Sequence, residues 1–296
     1  MNHITDEYEN MNEAYISLLS QLLNSPTYIS TTRKGETISE MLNAGFILNN
    51  PTKCFATCRD MSLKYLDGEL EFYLSGSPYL KDITKHSKFW EKVTDDDRTV
   101  NSNYGKLLFY DRNHHNYTQF EYAKRMLLEN PDSKKAVMVI YSKENAHDSQ
   151  DNPCTMYLQF FIREKKLHLI VKMRSSDVWY GLPYDVPFFV FVQYKMWLAL
   201  ERYYPSLQMG LYNHQSGSLH LYSRNRDVAY GTLDRNNSLI YSLNNKPYSE
   251  GTSDRGDQNL SDKGEEFLDF CDAIQVELFI KYIKTKVWEG KGDVEY

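Results

Sequence analysis

Apolar residues recur along this chain at two spacings, one typical of helices and one typical of strands. Residues 6–24 place apolar side chains three or four positions apart, which predicts an amphipathic helix. Residues 69–74 are predicted to form part of another helix. Residues 185–204 predict a long apolar helix that ends before Pro205, and residues 181–183 are predicted to break the chain ahead of it.

Three segments are predicted to be strands because β-branched and aromatic residues dominate them. They are residues 136–141, 155–162 and 167–173. The last two are separated only by the polar turn 164–166, which is the signal of a β-hairpin.

The C-terminal part of the chain has a different character. Residues 245–264 are polar and rich in turn-forming residues, which predicts a loop. After this loop, five residues fall on one helical face: Phe267, Cys271, Ile274, Leu278 and Tyr282. We therefore expect a loop and a helical extension over about 245–296.

Composition narrows the possible functions. With 34 Lys and Arg against 40 Asp and Glu, the net charge is −6 and the isoelectric point is about 5.8. This balance argues against a general nucleic-acid-binding protein, which needs a basic face, but it allows a local cluster of positive charge. The chain has no apolar run of about eighteen residues and begins with a polar, acidic segment. We therefore expect a cytoplasmic protein.

The chain contains four cysteines, Cys54, Cys58, Cys154 and Cys271. The spacing of Cys54 and Cys58 could place both on one helical face. No second cysteine pair or histidine pair near them completes a zinc site, so we expect packing there and no bound metal. Cys154 stands at the mouth of the predicted strand 155–162.

One run of the chain gathers the candidate chemistry. In DNPCTMYLQFFIREKKLHLIVKMRSSDVWYGLPYD, Cys154 offers a nucleophile, Arg174 an anion clamp and Asp185 a carboxylate that can bind a base edge. A thiolate that adds to C6 of a pyrimidine makes C5 nucleophilic, so that C5 can attack a one-carbon electrophile. The run therefore indicates an enzyme that acts on a pyrimidine nucleotide.

This run resembles the core of the thymidylate synthase family. The strings GELEFYLSG, NYGK, PDSKK and GSLHLYSRN resemble further motifs of the family in the family's order, and the resemblance covers about Arg33 to Asn225. Among the subfamilies, VNSNYGK, MRSSDV and GSLHLYSR most resemble the phage deoxycytidylate 5-hydroxymethylases. The resemblance implies an α/β (α+β) fold, with a mixed β-sheet flanked by helices and one catalytic domain over residues 1–296. It also implies a homodimer with the sheets packed back to back and with shared active sites.

The resemblance assigns catalytic roles to Cys154, Glu69, Tyr104 and Asp185. Cys154 would be the nucleophile, Glu69 would organise water and proton transfers, and Tyr104 would lie beside the cysteine. Taken alone, Cys154 would more often be a small buried residue than a nucleophile, as most free cysteines are buried. Thr155 follows the cysteine where the family often has histidine, and the phage subfamily also has threonine there.

The resemblance further implies how the nucleotide is held. The phosphate would be bound by Arg33, Lys134, Lys135, Arg174 and Ser175, with the lysine pair contributed by the other subunit in place of the family's two arginines. Without the resemblance, adjacent lysines read as a solvated charge pair. The sugar 3′-hydroxyl would be bound by His220 and Tyr222, which alternate on a strand and so point to one face.

The one-carbon donor implied by the resemblance is 5,10-methylenetetrahydrofolate. The folate would be bound by Trp90, Asp177, Gly181 and Tyr184. Trp90 could stack on the pterin, although an isolated tryptophan is more often part of a core.

Asp185 bears on the choice of base. Thymidylate synthases have asparagine at this position and the cytidylate enzymes have aspartate. A carboxylate accepts from the cytosine amino group and favours a proton on N3, whereas an asparagine amide matches uracil. The alternative is that Asp185 only caps a helix that begins near Pro187.

The sequence thus predicts 5-hydroxymethylation of dCMP through a covalent cysteine adduct, giving a product for modified phage DNA. Three alternatives stay open. They are a CMP hydroxymethylase, a thymidylate synthase or dUMP hydroxymethylase, and a non-catalytic nucleotide-binding or RNA-binding relative. Retention of Cys154, Glu69 and Arg174 together argues against the last.

Overall fold

The structure is a computed structural model that describes residues 5–244 and 274–286. The strands in these residues are β1 (Thr5–Tyr8), β2 (Tyr28–Thr31), β3 (Thr37–Leu48), β4 (Val137–Val139), β5 (Thr155–Arg163), β6 (Lys166–Asp177) and β7 (Gln208–Tyr222). The α-helices are α1 (Met11–Asn24), α2 (Leu63–Ser75), α3 (Leu80–Thr84), α4 (Tyr104–Phe109), α5 (Gln119–Glu129), α6 (Leu182–Glu201), α7 (Arg226–Arg235) and α8 (Asn237–Asn244). Residues 274–286 are helical, with a π-helical part at Phe279–Lys284.

All the described strands belong to one mixed sheet. Its strand order is β1-β3-β7-β6-β5-β4, and β2 pairs with β3 beside this path. The pairs β1–β3 and β6–β7 are parallel, and the remaining pairs are antiparallel. With helices packed against the sheet, this confirms the predicted α/β fold with a mixed sheet.

The centre of the sheet is built as its sequence pattern predicts. Side chains alternate in β6, where Leu167, Leu169, Val171 and Met173 point to the core and are buried. The β5–β6 hairpin turns tightly at Glu164 and Lys165, both with positive φ. The hairpin prediction is therefore correct.

On the opposite face of β5, β6 and β7, several side chains remain partly exposed. Tyr157 and Phe161 on β5, Ile170 on β6 and Leu211 on β7 alternate with the core residues and remain partly exposed. Aromatic and aliphatic side chains at neighbouring positions of a sheet give this face an apolar character.

The first predicted helix begins later than expected. Residues Thr5–Tyr8 form strand β1, which pairs with β3, and the helix starts only at Met11. The side chain of Asn10 accepts a 3.0 Å hydrogen bond from the backbone N–H of Glu13, so Asn10 is the N-cap. Pairing with β3 satisfies the backbone of residues 5–8 and overrides the helical spacing.

The break predicted at 181–183 is wrong, because helix α6 already begins at Leu182. Pro183 lies in the first turn, where a helix does not need the missing backbone N–H. Pro187 lies inside the helix, which continues to Glu201 and ends before Pro205. Helix α6 is buried almost all around, as its continuous apolar sequence predicts.

Two further expectations concern the cysteines and the C-terminal segment. Cys54 and Cys58 lie in an irregular stretch between β3 and α2, so the idea that they share a helical face is wrong. Of the predicted C-terminal stripe, Leu278 and Tyr282 are buried and Ile274 packs on the core. Phe267, Cys271 and the predicted loop 245–264 lie outside the described residues. No helix in the described part of the chain is long and apolar enough to cross a membrane.

Candidate active site

Arg174 and Cys154 are joined through the backbone of the segment that carries the cysteine. The backbone N–H of Arg174 donates a 2.8 Å hydrogen bond to the carbonyl of Cys154. Its Nε donates to the carbonyl of Pro153 and its Nη2 to the carbonyl of Asn152, both at 2.9 Å. Arg174 thus holds three successive carbonyls, while the exposed remainder of its guanidinium can bind an anion.

Tyr104 secures the same segment from the other side. Its hydroxyl oxygen accepts hydrogen bonds from the backbone N–H groups of Cys154 and Thr155, at 3.3 and 3.4 Å. Burial raises the pKa of Tyr104, so its hydroxyl stays protonated at neutral pH. The structure therefore places Tyr104 beside the cysteine, as expected.

The protonation of Cys154 depends on two opposing influences. Burial raises the pKa of the thiol, whereas the positive charge of Arg174 lowers it. The carboxyl groups of Asp185, Asp151 and Asp177 raise it further when ionised. An anion that neutralises Arg174 would therefore weaken the thiolate, and neutral carboxyl groups would favour it.

Glu69 is a buried residue of α2, and its pKa is far above that of an ordinary glutamate. It is 8% exposed, and burial raises its pKa to about 8. The hydroxyl of Tyr65 donates a 2.6 Å hydrogen bond to Oε1 of Glu69, which lowers the pKa, while Asp185 raises it. Glu71, two residues further, is exposed and forms an ion pair with Lys85. Glu69 can therefore exchange a proton near neutral pH.

Asp185 lies in the first turn of α6 but does not cap it. The N-cap is Gly181, without a side-chain hydrogen bond, so the capping alternative is wrong. Burial raises the pKa of Asp185 to about 7, and Asp177 adds to the rise. Among the described residues, no side-chain or backbone donor bonds to its carboxyl group. This half-buried carboxyl is therefore available to a ligand or to water.

Asp177 and His220 are neighbours on the parallel strands β6 and β7. Oδ1 of Asp177 accepts from the backbone N–H groups of Trp179 at 2.8 Å and Tyr180 at 3.3 Å. Burial raises the pKa of Asp177 and lowers that of His220, so it favours the neutral form of each group. The rings of His220 and Tyr222 meet edge to face with centroids 5.1 Å apart, so the structure brings this predicted pair together.

The remaining predicted folate residues cluster at the same end of the sheet. The backbone N–H of Gly181 bonds to the carbonyl of Asp177 at 3.0 Å, and that of Asp185 to the carbonyl of Gly181 at 3.0 Å. A Cβ at Gly181 would approach Asp185 Oδ2 to 3.1 Å, so glycine leaves space there. The hydroxyl of Tyr184 accepts from the backbone N–H of Ser62 at 3.0 Å.

Trp90 differs from the expected open stacking surface. It is 8% exposed, packs against Phe72 and Phe89, and donates its Nε1–H to the hydroxyl of Tyr65 at 3.2 Å. Through Tyr65, Trp90 connects to Glu69. Its observed contacts are those of a core residue that orders the Glu69 environment.

The predicted phosphate-binding residues divide into two groups. Ser175 lies next to Arg174 on β6, and Arg33 bonds to Asp148, close before Cys154 in sequence, at 3.3 Å with both side chains almost fully exposed. Lys134 and Lys135 are exposed and lie far from their own cysteine. Gln159 Nε2 bonds to the carbonyl of Lys134, and Gln159 is five residues along β5 from Cys154, or about 17 Å.

The sequence motifs did not identify several side chains of the site. Tyr65 precedes Glu69 by one helical turn, and this i,i+4 spacing was its only sequence signal. Glu40 on β3 lies opposite His220, a pairing that appears only once the strands are in register. Within the described residues no three His, Cys, Asp or Glu side chains form a metal-binding group.

Comparison with known proteins identifies the family. The family model for thymidylate synthase matches residues 13–254. The chain belongs to the thymidylate synthase family. It is therefore an enzyme of folate-dependent modification at C5 of a pyrimidine nucleoside monophosphate, and the family uses methylenetetrahydrofolate.

Relatives within the thymidylate synthase family differ in their named activities. The chain is 34% identical over 194 residues to the deoxycytidylate 5-hydroxymethyltransferase of Enterobacteria phage T6, a match covering 62% of this chain and 76% of the relative. Identity to the enzyme of the same name from phage T4 is 33% with the same coverage. Thymidylate synthase 1 of Bacillus spizizenii is 26% identical over 153 residues, covering 49% of this chain and 53% of that protein.

Proposed function

We propose that this enzyme 5-hydroxymethylates dCMP with methylenetetrahydrofolate as the one-carbon donor. The observation that carries the proposal is the half-buried carboxyl of Asp185, with a pKa of about 7 and without a protein hydrogen-bond donor among the described residues. The family resemblance implies that thymidylate synthases have asparagine at this position. The named activity of the phage relatives supports the same substrate.

Asp185 suits cytosine because of what each base presents. Cytosine protonated on N3 offers two donors, its amino group and N3–H, and an ionised carboxylate can accept from both at once. Uracil offers an N3–H donor and an O4 acceptor, and an ionised carboxylate has no donor for O4. With a pKa of about 7, Asp185 holds a proton in about half of the molecules at neutral pH.

The cysteine chemistry follows from the same contacts. The thiolate of Cys154 bonds to C6 of the ring, and the electron pair of the C5–C6 double bond is stabilised as N3 takes a proton from Asp185. C5 then bonds to the one-carbon unit, which the folate supplies. C5 loses its proton, the folate leaves, and water adds to the exocyclic methylene as the C6–sulfur bond breaks. Glu69, with a pKa of about 8, is suited to hold the water and move its proton.

The residues at the end of β6 fit a folate. Asp177 uses Oδ1 for backbone donors, and its second oxygen can accept from the amino and ring N–H groups of a pterin. Gly181 keeps the space beside Asp177 and Asp185 free of a side chain. Tyr184 contributes a buried ring that packs edge to face on Tyr65, with centroids 4.9 Å apart.

A homodimer with shared active sites accounts for the lysine pair. Lys134 and Lys135 are about 17 Å from their own cysteine along β5, too far for a lysine side chain to reach the same phosphate. The partly exposed apolar face of Tyr157, Phe161 and Ile170 offers a surface on which a second sheet can pack. We propose that this face forms the dimer and brings the lysines to the partner's pocket.

The deciding experiment replaces Asp185→Asn and measures kcat/KM for dCMP and dUMP. Wild type should prefer dCMP, and the variant should lose or reverse that preference, because mismatched buried polar groups can cost roughly 10⁴-fold in discrimination. Asp227→Asn is the matched control, since Asp227 is an exposed acidic residue in the first turn of α7. An unchanged ratio in the Asp185 variant would remove the main support for the cytidylate assignment.

The same assay separates the related activities. CMP added as a third substrate tests the ribonucleotide alternative, and mass analysis of each product separates a hydroxymethyl group from a methyl group. Dihydrofolate release, followed by absorbance, accompanies methylation only. A protein that binds nucleotides but forms no product with any of the three would be a non-catalytic relative.

A further inference from the structure

We propose that Glu40 and Ser218 form a hydrogen-bond relay that fixes the ring proton of His220 on Nδ1, leaving Nε2 to accept a hydrogen bond from the sugar 3′-hydroxyl. The inference rests on the proposed nucleotide substrate. It adds two positioning residues to the site. Ser218 lies in the string GSLHLYSRN and Glu40 lies outside the quoted motifs, and neither had a role assigned from the sequence.

The three residues meet because of strand register. Glu40 on β3 lies directly opposite His220 on β7 in an antiparallel pair, so the two side chains share one face of the sheet. Ser218 is two residues before His220 and points to the same side. Its hydroxyl donates a short hydrogen bond to Glu40 Oε1, and its Oγ lies 3.5 Å from Nδ1 of His220.

The direction of the relay follows from the number of protons available. A carboxylate only accepts, so the single proton of Ser218 is committed to Glu40. The oxygen of Ser218 then has only lone pairs to offer, and Nδ1 of His220 must carry the proton that it shares with Ser218. The 3.5 Å contact is long, as such bonds often are before a ligand binds.

The remaining surroundings keep His220 neutral and oriented. Burial lowers the pKa of His220, so at neutral pH one ring nitrogen is bare. Asp177 faces the ring from β6, but its Oδ1 is occupied by the backbone donors of Trp179 and Tyr180. The edge-to-face contact with Tyr222 fixes the ring plane. With Nδ1 protonated, Nε2 is an acceptor, and a hydroxyl is a suitable donor for it.

Binding of two nucleotides by the full-length protein tests the relay. dCMP has a 3′-hydroxyl and 2′,3′-dideoxycytidine 5′-monophosphate lacks it, and isothermal titration calorimetry gives both dissociation constants. Wild type should bind dCMP about tenfold more tightly, the value of one good hydrogen bond. Ser218→Ala should bring the ratio of the two dissociation constants close to one, because it weakens the binding of dCMP alone. Ser218→Thr, which keeps a hydroxyl, should restore the wild-type ratio.

Ser30→Ala is the matched control. Ser30 donates a 2.9 Å hydrogen bond to the other oxygen of Glu40 but does not touch His220, so this variant should keep the wild-type ratio. A wild-type ratio in Ser218→Ala would overturn the relay. Equal binding of both nucleotides by wild type would also overturn it, whereas failure of wild type to bind dCMP at all would refute the proposed function instead.

The tautomer of His220 gives a second readout that a purely structural role would not change. Nitrogen NMR of protein labelled at histidine distinguishes Nδ1–H from Nε2–H, and His220→Gln identifies the signal. Wild type should show Nδ1–H, and both Ser218→Ala and Glu40→Gln should populate Nε2–H. A wild-type ring protonated on Nε2 would contradict the relay, and an unchanged tautomer in Glu40→Gln would remove Glu40 from it.

Discussion

The hydroxyl of Tyr65 lies 2.6 Å from Oε1 of Glu69, and Tyr65 precedes Glu69 by one turn of α2. The same hydroxyl oxygen accepts a hydrogen bond from Trp90 Nε1 at 3.2 Å, so its own proton is directed to Glu69. This bond stabilises the ionised carboxylate and lowers a pKa that burial raises. Tyr65 therefore adjusts the pH at which Glu69 can exchange a proton.

Replacement of this hydroxyl should shift the pH dependence of the reaction. In Tyr65→Phe, the pKa of Glu69 loses its main lowering influence and rises above its value of about 8. The limb of the pH–rate profile that reports Glu69 should move up by about one pH unit. Tyr122→Phe, an exposed tyrosine on α5, serves as the control. Superimposable profiles for wild type and Tyr65→Phe would contradict this assignment.

The raised pKa of Glu69 should also be visible in protein stability. The unfolded carboxyl ionises near 4.5 and the folded one near 8, so between these values only the folded state holds the proton. Stability from this group is complete below pH 4.5 and is lost as pH rises towards 8, by at most ~1.4 kcal/mol per pH unit. Glu69→Gln removes this loss, so its free energy of unfolding relative to wild type should increase with pH.

Denaturant titrations at pH 5, 6.5 and 8 measure this difference. Glu71→Gln provides the comparison, because Glu71 is exposed on the same helix. A constant difference between Glu69→Gln and wild type across this range would show that Glu69 is ionised in the folded protein.

Cys154→Ser should abolish turnover while nucleotide binding changes by less than about tenfold. A neutral hydroxyl is a far weaker nucleophile than a thiolate, but the proposed contacts of Arg174 and Asp185 with the nucleotide would remain. Product formation and dCMP binding are measured on the same preparation. Cys58→Ser, at a partly buried cysteine outside the site, should keep its turnover. Near-normal turnover in Cys154→Ser would exclude Cys154 as the nucleophile.

Active sites shared between subunits, as proposed above, should permit complementation between two inactive chains. A Lys134→Ala/Lys135→Ala chain and a Cys154→Ser chain are each expected to be inactive. When their subunits exchange, a heterodimer carries both defects in one pocket and none in the other, so activity should return. Lys165→Ala/Lys166→Ala, an exposed pair at the β5–β6 turn, should stay active alone. If activity stays absent after verified exchange, the lysines act within their own chain or have no role.

Sequence periodicity predicted the elements of the centre of the sheet but not where several of them begin. The β5–β6 hairpin was predictable because its apolar residues alternate and a polar turn joins the strands. The start of α6 was not, because glycine and proline at 181–183 usually interrupt a helix, whereas Pro183 fits a first turn. Strand β1 was missed because its stability comes from pairing with β3, more than thirty residues away.

Prediction of the active site from the sequence is limited in the same way. The motif strings indicated Cys154, Glu69 and Asp185, because each stands in a segment with a recognisable pattern. They gave no information on Glu40, which contributes only after β3 and β7 are paired. They also did not reveal that the indole of Trp90 is packed on Phe72 and bonded to Tyr65. Local patterns identify residue types, whereas long-range pairing decides what each side chain contacts.

Arg174 holds three successive carbonyls that end at Cys154, and this complicates how its variants should be interpreted. Substitution of Arg174 would disturb nucleophile placement as well as phosphate affinity, so a loss of activity would not measure the strength of the phosphate contact. Deoxycytidine, which has no phosphate, separates the two effects. Whatever activity wild type retains on the nucleoside should fall in an Arg174 variant only because the cysteine has moved or because its thiol has lost the positive charge that lowers its pKa.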